Sequence, residues 1–409
     1  MKAMGAIPAG FDTSADGTLM IGGHDARALV AQAGSTPLFV YDNNLIGAKI
    51  ALFRAALPDG LGLNYAVKAN PYPPLLEWIC KFVDGFDIAS EGELAALEKV
   101  DACCLPMSFA GPGKTDRELK RAIQSDATIS VESPGEAARI LEIGGNLGTR
   151  PKVMVRVNPP FRLKGAGMKM GGAASPFGID HDLAAEVVRG LIEAGADWRG
   201  LHIYPGSQCL DWAAIVEVQS LSVALAAEIA DAAGAEPPEV NLGGGFGIPY
   251  FAGEAPLDLY SMGQAMGEML ADVPGPLCAS RFTLELGRWL VGEAGVYLTR
   301  IVDRKESHGE VFLITDGGLH HQLAASGNFG TVVRRNYPVA IASRFDAPPT
   351  EEASVVGCLC TPLDRLADKA LFPRAEVGDL VAVFCAGAYG ATASPAQFLG
   401  QGPAKEMLI

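Results

Sequence analysis

The chain has 409 residues, 49% of them apolar and 19% charged, and a formal charge of −15. That composition belongs to a globular protein, and the length suits two or three domains. So negative a charge argues against nucleic acid or an anionic membrane as partner, because both bind a basic face, and leaves a small substrate as the expected ligand.

Eight cysteines are too dilute for a disulfide framework. The pairs Cys103/Cys104 and Cys358/Cys360 lack the second ligand pair of a zinc site, so no metal is expected. The opening residues, "MKAMGAIPAGF", hold no continuous apolar core of signal-peptide length. No other run is read as approaching the roughly 18 apolar residues of a membrane span, and the expected location is the cytoplasm.

The first 35 residues, with "GTLMIGG" as a candidate strand, stand outside the pattern that follows. From residue 62 onward short β-rich runs alternate with helical stretches: "GLNYAVKAN" (62–70), "GFDIAS" (85–90), "LPMSFAGP" (105–112), "ATISVES" (127–133), "KVMVRVN" (152–158), "GLHIYPGSQ" (200–208), "EVNLGGGFG" (239–247) and "RFTLELGR" (281–288). Strands that alternate with helices pair in parallel through right-handed crossovers, and eight such units make a closed (β/α)8 barrel. Between them, "SEGELAALEKV" starts with Ser90 and Glu93 at capping-box spacing, and "TDRELKRAI" sets Leu119 and Ile123 on one helical face. The gap after the fifth strand, "PPFRLKGAGMKMGGAASPFGID", is glycine-rich and aperiodic, and reads as a mobile loop over the barrel mouth.

After Arg288 the runs "AGVYLTRIVDRKE", "GEVFLITDGG", "SVVGCLC" and "DLVAVFCAGAYG" are strands without long helices between them, which predicts an antiparallel β domain. The barrel is assigned to residues 36–288. Residues 1–35 and 289–409 are assigned to the β-rich domain.

A barrel of this type carries its chemistry at the C-terminal ends of its strands. Lys68 ends the first, Asp87 lies in the second, Arg156 ends the fifth, His202 and Tyr204 fall in the sixth, Gly243, Gly244 and Gly245 follow the seventh, and Glu285, Gly287 and Arg288 end the eighth. A lysine inside an apolar strand must find a partner or become chemically bonded, because burying a lone ammonium is costly. The glycine run lets backbone N–H groups approach an anion and suits a phosphate cradle, although by itself it also fits a tight turn. "GPGKT" (111–115) is no nucleotide loop, since Ser108 stands where the first glycine belongs; Thr115 or Asp116 is read as a helix cap. Lysine, phosphate cradle, arginine and strand-end carboxylate around one mouth point to pyridoxal phosphate: a Schiff base to Lys68, the phosphate on the glycines and the ring nitrogen on Glu285.

These residues resemble the fold-type III pyridoxal-phosphate decarboxylases of ornithine and diaminopimelate, from "TPLFVYD" (36–42) to "AGAYG" (386–390). The resemblance implies that Lys68 of "YAVKAN" forms the Schiff base and that Asp87 and Glu93 of "FDIASEGEL" lie near the cofactor, with Glu93 equally readable as a cap. It further implies that Ser207 of "GSQ", with Gly243, Gly244, Gly245 and Arg288, takes the phosphate; that Glu285 of "ELGR" takes the ring nitrogen, although Leu286 replaces a proline; and that Arg156 lies near the ring. "GCLCTPLD" resembles the motif whose cysteine protonates the substrate carbon in a neighbouring subunit, a role that falls to Cys360 with Asp364 nearby. Tyr389 of "GAYG" is implied as a phosphate contact, and the protein as a homodimer with shared sites.

Departures narrow the substrate. Tyr204 stands where the family stacks a histidine on the ring, Thr361 replaces the acid that receives a distal amine, and "AASGNFG" (324–330), with Asn328 as a candidate substrate contact, lacks an arginine for a distal carboxylate. The likeness is closer to the branch found beside exosortase and carrier-protein pathways, which implies either an amino acid or an aminoacyl group on an acyl carrier protein as substrate, with Arg162, Lys164 and Lys169 as a basic landing patch. The rival readings are an amino-acid racemase of the same fold and a non-catalytic relative. His320 and His321 after "TDGG" are read as packed or surface residues with a possible substrate contact.

Overall fold

A computed structural model describes residues 1–100, 104–327 and 335–409. The chain forms two compact units, Ile50–Gly247 with Pro256–Gly287, and Met1–Lys49 with Ile248–Ala255 and Arg288–Ile409.

The first unit is a closed barrel of eight parallel strands: β1 (Gly62–Ala66), β2 (Gly85–Ile88), β3 (Met107–Phe109), β4 (Thr128–Val131), β5 (Lys152–Asn158), β6 (Asp197–Ile203), β7 (Glu239–Asn241) and β8 (Arg281–Leu286), with β8 pairing back to β1. The strands alternate in character. Leu63, Tyr65, Ile129, Val131, Val153, Val155, Leu201 and Leu284 are fully buried. They turn outward beneath the helices, where burying each Leu, Ile or Val side chain contributes about 1.5–3 kcal/mol. The residues between them face the barrel axis and are mostly polar, with Met154 the apolar exception. Register carries this polar set around the barrel: Glu285 lies opposite Asn64, Asp87 opposite Ser108, Arg156 opposite His202, and His202 opposite Asn241. Barrel interiors are ordinarily filled by branched apolar residues, so this axis is built for chemistry as well as packing.

The helices start where the sequence places caps. Ser90 Oγ accepts from Glu93 N at 3.2 Å, and Thr115 with Glu118 forms a full capping box, while Asp116 is the first helical residue. The stretch after β5 is not wholly irregular: Met168–Lys169 pairs antiparallel with Gly206–Ser207 and so ties the loop to the "GSQ" turn. Among the described residues one helix, Trp212–Ala233, is long and apolar enough by length and composition to cross a membrane, which corrects the expectation that no run comes near that size. Sixty-one per cent of its most apolar window is buried, as in a core helix, so its apolarity has a packing cause.

The second unit is a mixed β-sheet of β9 (Gly295–Ser307), β10 (Glu310–Thr315), β11 (Val339–Ile341), β12 (Glu351–Val356), β13 (Arg365–Phe372), β14 (Leu380–Val383) and β15 (Lys405–Leu408), with the strand Leu38–Tyr41. Most pairings are antiparallel; β10 with β12, and β15 with Leu38–Tyr41, are parallel. Leu38–Tyr41 joins β9, so residues 36–49 go with this sheet. The strand Leu19–Ile21 of "GTLMIGG" packs here too, and Leu19, Ile21, Leu38, Val40, Val296, Leu298 and Phe384 form the core.

Candidate active site

Strand β1 ends at Ala66, and a short 3-10 turn, Val67–Ala69, then lifts Lys68 out of the strand. Its side chain is 41% exposed, which corrects the reading of Lys68 as a hidden ammonium; the apolar run on either side is buried, the lysine is not. Gly287 explains how closely the end of β8 approaches this turn, since a Cβ there would stand 2.7 Å from Ala69 Cβ. Lys68 Nζ lies 3.7 Å from Asp87 Oδ2 and 5.8 Å from the centre of the Tyr204 ring. An accessible amine fits a group that must meet an incoming aldehyde.

Two buried carboxylates face this amine. Burial pushes Glu285 upward, but His202, by charge and contact, then Lys68 and Arg156 outweigh it and hold Glu285 at about 2. Asp87 is pushed up to about 7, first by burial and then by the charge of Glu285, against the opposing pull of Lys68. Two enclosed carboxylates this close keep one negative charge between them, and Glu285 keeps it, because His202 Nε2 at 3.4 Å and Asn241 Nδ2 at 3.4 Å face it while Asp87 faces the serine hydroxyl of Ser108 at 2.9 Å. An ionised, desolvated carboxylate on the barrel axis fits a cationic ring nitrogen.

Arg156, nearly buried, donates to Glu132 Oε1 at 2.8 Å and lies 5.2 Å from the Phe177 ring. Glu132 also accepts from Gly111 N and, at 3.1 Å, from Gly178 N, so one buried anion fastens two loops of the rim to strand β5. The buried lysine of the rim is Lys114: its ammonium meets Glu136 at 2.9 Å and the carbonyls of Gly111 and Ser130, and burial depresses its pKa despite Glu136. "GPGKT" therefore supplies a structural ion pair.

The glycine turn and the "GSQ" turn lie against each other. Cys209 N donates to Gly245 O at 2.9 Å, and a Cβ on Gly245 would meet Gly206 O at 2.7 Å. Gly243 and Gly245 have φ of +67° and +86°, and a Cβ on Gly244 would stand 2.1 Å from Glu285 O, so each glycine is required sterically. Among the described residues no acceptor faces the N–H groups of Gly244 and Gly245, which leaves two amide donors beside Ser207 for an anion. Glu93 closes a cap, its Oε2 accepting from Ala89 N at 2.6 Å, and burial, first among the causes, raises its pKa.

In the second unit Arg288 is almost enclosed by aromatic rings: it donates to Tyr250 Oη at 2.8 Å and lies 4.7 Å from the Tyr389 ring, and its buried Nε has no acceptor among the described residues. Tyr389 holds φ +59°, an uncommon backbone for a residue with a side chain. A buried guanidinium among tyrosines fits a phosphate. Cys360 is exposed on the turn after β12. Asp364, buried, accepts from Leu319 N at 2.6 Å and Leu359 N at 2.9 Å, which staples the turn that presents Cys360 and Thr361. Asn328 lies outside the described residues. His320 is fully buried and packs 3.8 Å, ring centre to ring centre, from His321.

A barrel with a rim amine, an ionised axial carboxylate and two free amide donors defines a pyridoxal-phosphate enzyme of the barrel class. Residues 43–292 match the family model of the pyridoxal-dependent decarboxylases, pyridoxal binding domain, and the chain belongs to that family. It is 35% identical over 381 residues (91% of this chain, 88% of the relative) to the L-glutamyl-[BtrI acyl-carrier protein] decarboxylase of Niallia circulans. It is 31% identical over 401 residues (98% and 93%) to the diaminopimelate decarboxylase of Archaeoglobus fulgidus. The crystal structure of a diaminopimelate decarboxylase from M. jannaschi matches with a TM-score of 0.86 at 25% identity, covering 97% of this chain and 92% of that one. The protein is a pyridoxal-phosphate-dependent amino-acid decarboxylase, a carboxy-lyase.

Sequence reading passed over Glu132, Ser130, Asn241 and Ser108. Ser130, Asn241 and Ser108 are polar residues in strands of alternating character, and Glu132 directly follows one; the pattern ordinarily marks a solvent face, and in a closed barrel it marks the axis.

Proposed function

We propose that this decarboxylase removes the α-carboxylate of an aminoacyl group, with an acyl-carrier-protein-bound substrate favoured over a free diamine precursor. The observation that carries the site assignment is the accessible Lys68 amine, 3.7 Å from Asp87, beside the buried anion Glu285. When bound, pyridoxal phosphate supplies an electron sink for the pair left on the α-carbon as CO2 departs. Lys68 is the amine that holds it. Glu285 keeps a proton on its ring nitrogen, and Arg156 with Tyr204 borders the ring. Ser207 with the Gly243–Gly245 turn, Arg288 and Tyr389 bind the phosphate. Cys360, reaching the site of a second copy in a homodimer, gives the proton that replaces the carboxylate.

The carrier-bound substrate is supported by the named activity of the Niallia relative and by Thr361, which gives a distal ammonium no counter-charge. On the surface Arg162 is exposed, while Lys164 pairs with Glu217 at 2.8 Å, so Arg162 is the stronger element of a landing patch. The domain of action is the cytoplasm. The test is CO2 release followed by mass spectrometry, comparing free amino acids with aminoacyl carrier proteins. The expected result is release from a carried aminoacyl group and none from the Lys68→Ala protein; loss of optical activity without CO2 would replace this reading with racemisation.

A further inference from the structure

The N-terminal mouth of the barrel, opposite the catalytic rim, holds a cavity of about 560 Å3. Strand starts line it, among them Asn64, Ser108, Thr128, Met154, Glu239 and Arg281. A polar-walled space of this size, open to the surface, fills with water. Acidic Asp84, Asp126 and Glu239 line it together with basic Lys152, Arg199 and Arg281, so the wall carries both signs and presents no strong barrier of one sign to a proton.

Ser108 links this cavity to the site. Its side chain lines the cavity and donates from Oγ to Asp87 Oδ1 at 2.9 Å, while Asp87 Oδ2 faces Lys68 at 3.7 Å and the carboxylate as a whole is only 2% exposed. The other charged or titratable groups that act on Asp87 are Glu285 of β8 and His202 of β6. Decarboxylation replaces a carboxylate by hydrogen, so each CO2 released draws one proton from solvent. We infer that Ser108 relays protons from the N-terminal mouth to Asp87. A hydronium ion carried by the cavity water gives a proton to Ser108 Oγ as the serine gives its own to Asp87 Oδ1; the hydroxyl is restored, a neutral water is left in the cavity, and one proton has moved from solvent to the carboxyl group. The position of Asp87 near neutrality allows it to hold and return that proton.

The experiment uses the holoenzyme and needs no turnover. The carboxyl stretch of protonated Asp87, assigned by its loss in Asp87→Asn, is followed by infrared spectroscopy after rapid mixing into D2O at a pH below about 7. Ser108→Ala, which removes the hydroxyl bonded to Asp87 and leaves an apolar methyl group in its place, is expected to slow the deuterium shift roughly tenfold or more. Ser108→Thr restores the hydroxyl and Ser108→Gly admits water, so both are expected near the native rate. Thr128→Phe, which narrows the cavity at the position paired with Ser108 and leaves Ser108 in place, is expected to slow it as well. Native-rate exchange in Ser108→Ala overturns the relay, as does a Thr variant as slow as the Ala variant, or a carboxyl band unchanged in Asp87→Asn.

Discussion

His202 Nε2 stands 3.4 Å from Glu285 Oε2, and its Nδ1 stands 3.1 Å from Ser130 Oγ, with both ring and carboxylate buried. An ionised carboxylate only accepts, so Nε2 carries a hydrogen, and Ser130 serves Nδ1. At this distance the His202–Glu285 contact is chiefly electrostatic. Replacing His202 with leucine is therefore expected to raise the Glu285 titration from about 2 toward or beyond the ordinary carboxylate range, and to lower activity. Infrared titration of the carboxyl band checks the first, a CO2 assay the second.

Glu285 and Asp87 oppose each other in pH dependence. Asp87 binds a proton more tightly folded than unfolded, up to about 7 against 3.8, so its contribution is present at low pH and is lost as pH rises through 7. Glu285, depressed to about 2 from 4.5, contributes above 4.5 and loses that contribution as pH falls toward 2. Between 4.5 and 7 Asp87 supplies a slope of stability falling with pH, set against the opposite slope of His321, which burial lowers from 6.5 to about 4; urea melts of the apo-protein are expected to show the Asp87 slope as the difference between the native protein and Asp87→Asn. Asp87→Asn flattens that slope, and Glu285→Gln moves the Asp87 titration down.

Glu132 holds the Arg156 guanidinium, and both are buried. Glu132→Ala leaves a buried cation unpaired and two loops unfastened. The expected loss is on the order of 3–5 kcal/mol of unfolding free energy, measured by denaturant titration.

How much of this was legible in the sequence follows from what alternation can encode. The eight strands and their order were readable because apolar residues at every second position persist from "GLNYA" to "RFTLEL", each run bounded by helix starts. Lys68, Asp87, His202 and Glu285 stood out as unusual residues in such runs. Ser130, Glu132 and Asn241 did not, because period two records two faces without saying which one is closed into a barrel. The depth of Lys68 is hidden from the sequence for a related reason: strand composition continues through "AVKAN", while the backbone leaves the strand at Ala66. Lys114, the lysine that is truly enclosed, lay in a glycine-rich motif with no apolar signature.

Cys360 lies exposed on a turn that Asp364 holds. Cys360→Ala is expected to keep the cofactor's visible absorbance and lose most of the normal product, read by mass spectrometry of the reaction mixture. Asp364→Ala removes the acceptor of two buried N–H groups and is expected to cost about 1–3 kcal/mol of stability per group left unpaired, measured by thermal melting.

The most direct test of the account is peptide mapping of the holoenzyme after borohydride reduction, which fixes the cofactor to whichever amine holds it. The account predicts a phosphopyridoxyl group on Lys68, and a colourless, inactive Lys68→Ala protein. The same group found on Lys114 or any other lysine, or a Lys68→Ala protein that keeps its colour and its CO2 release, would contradict it.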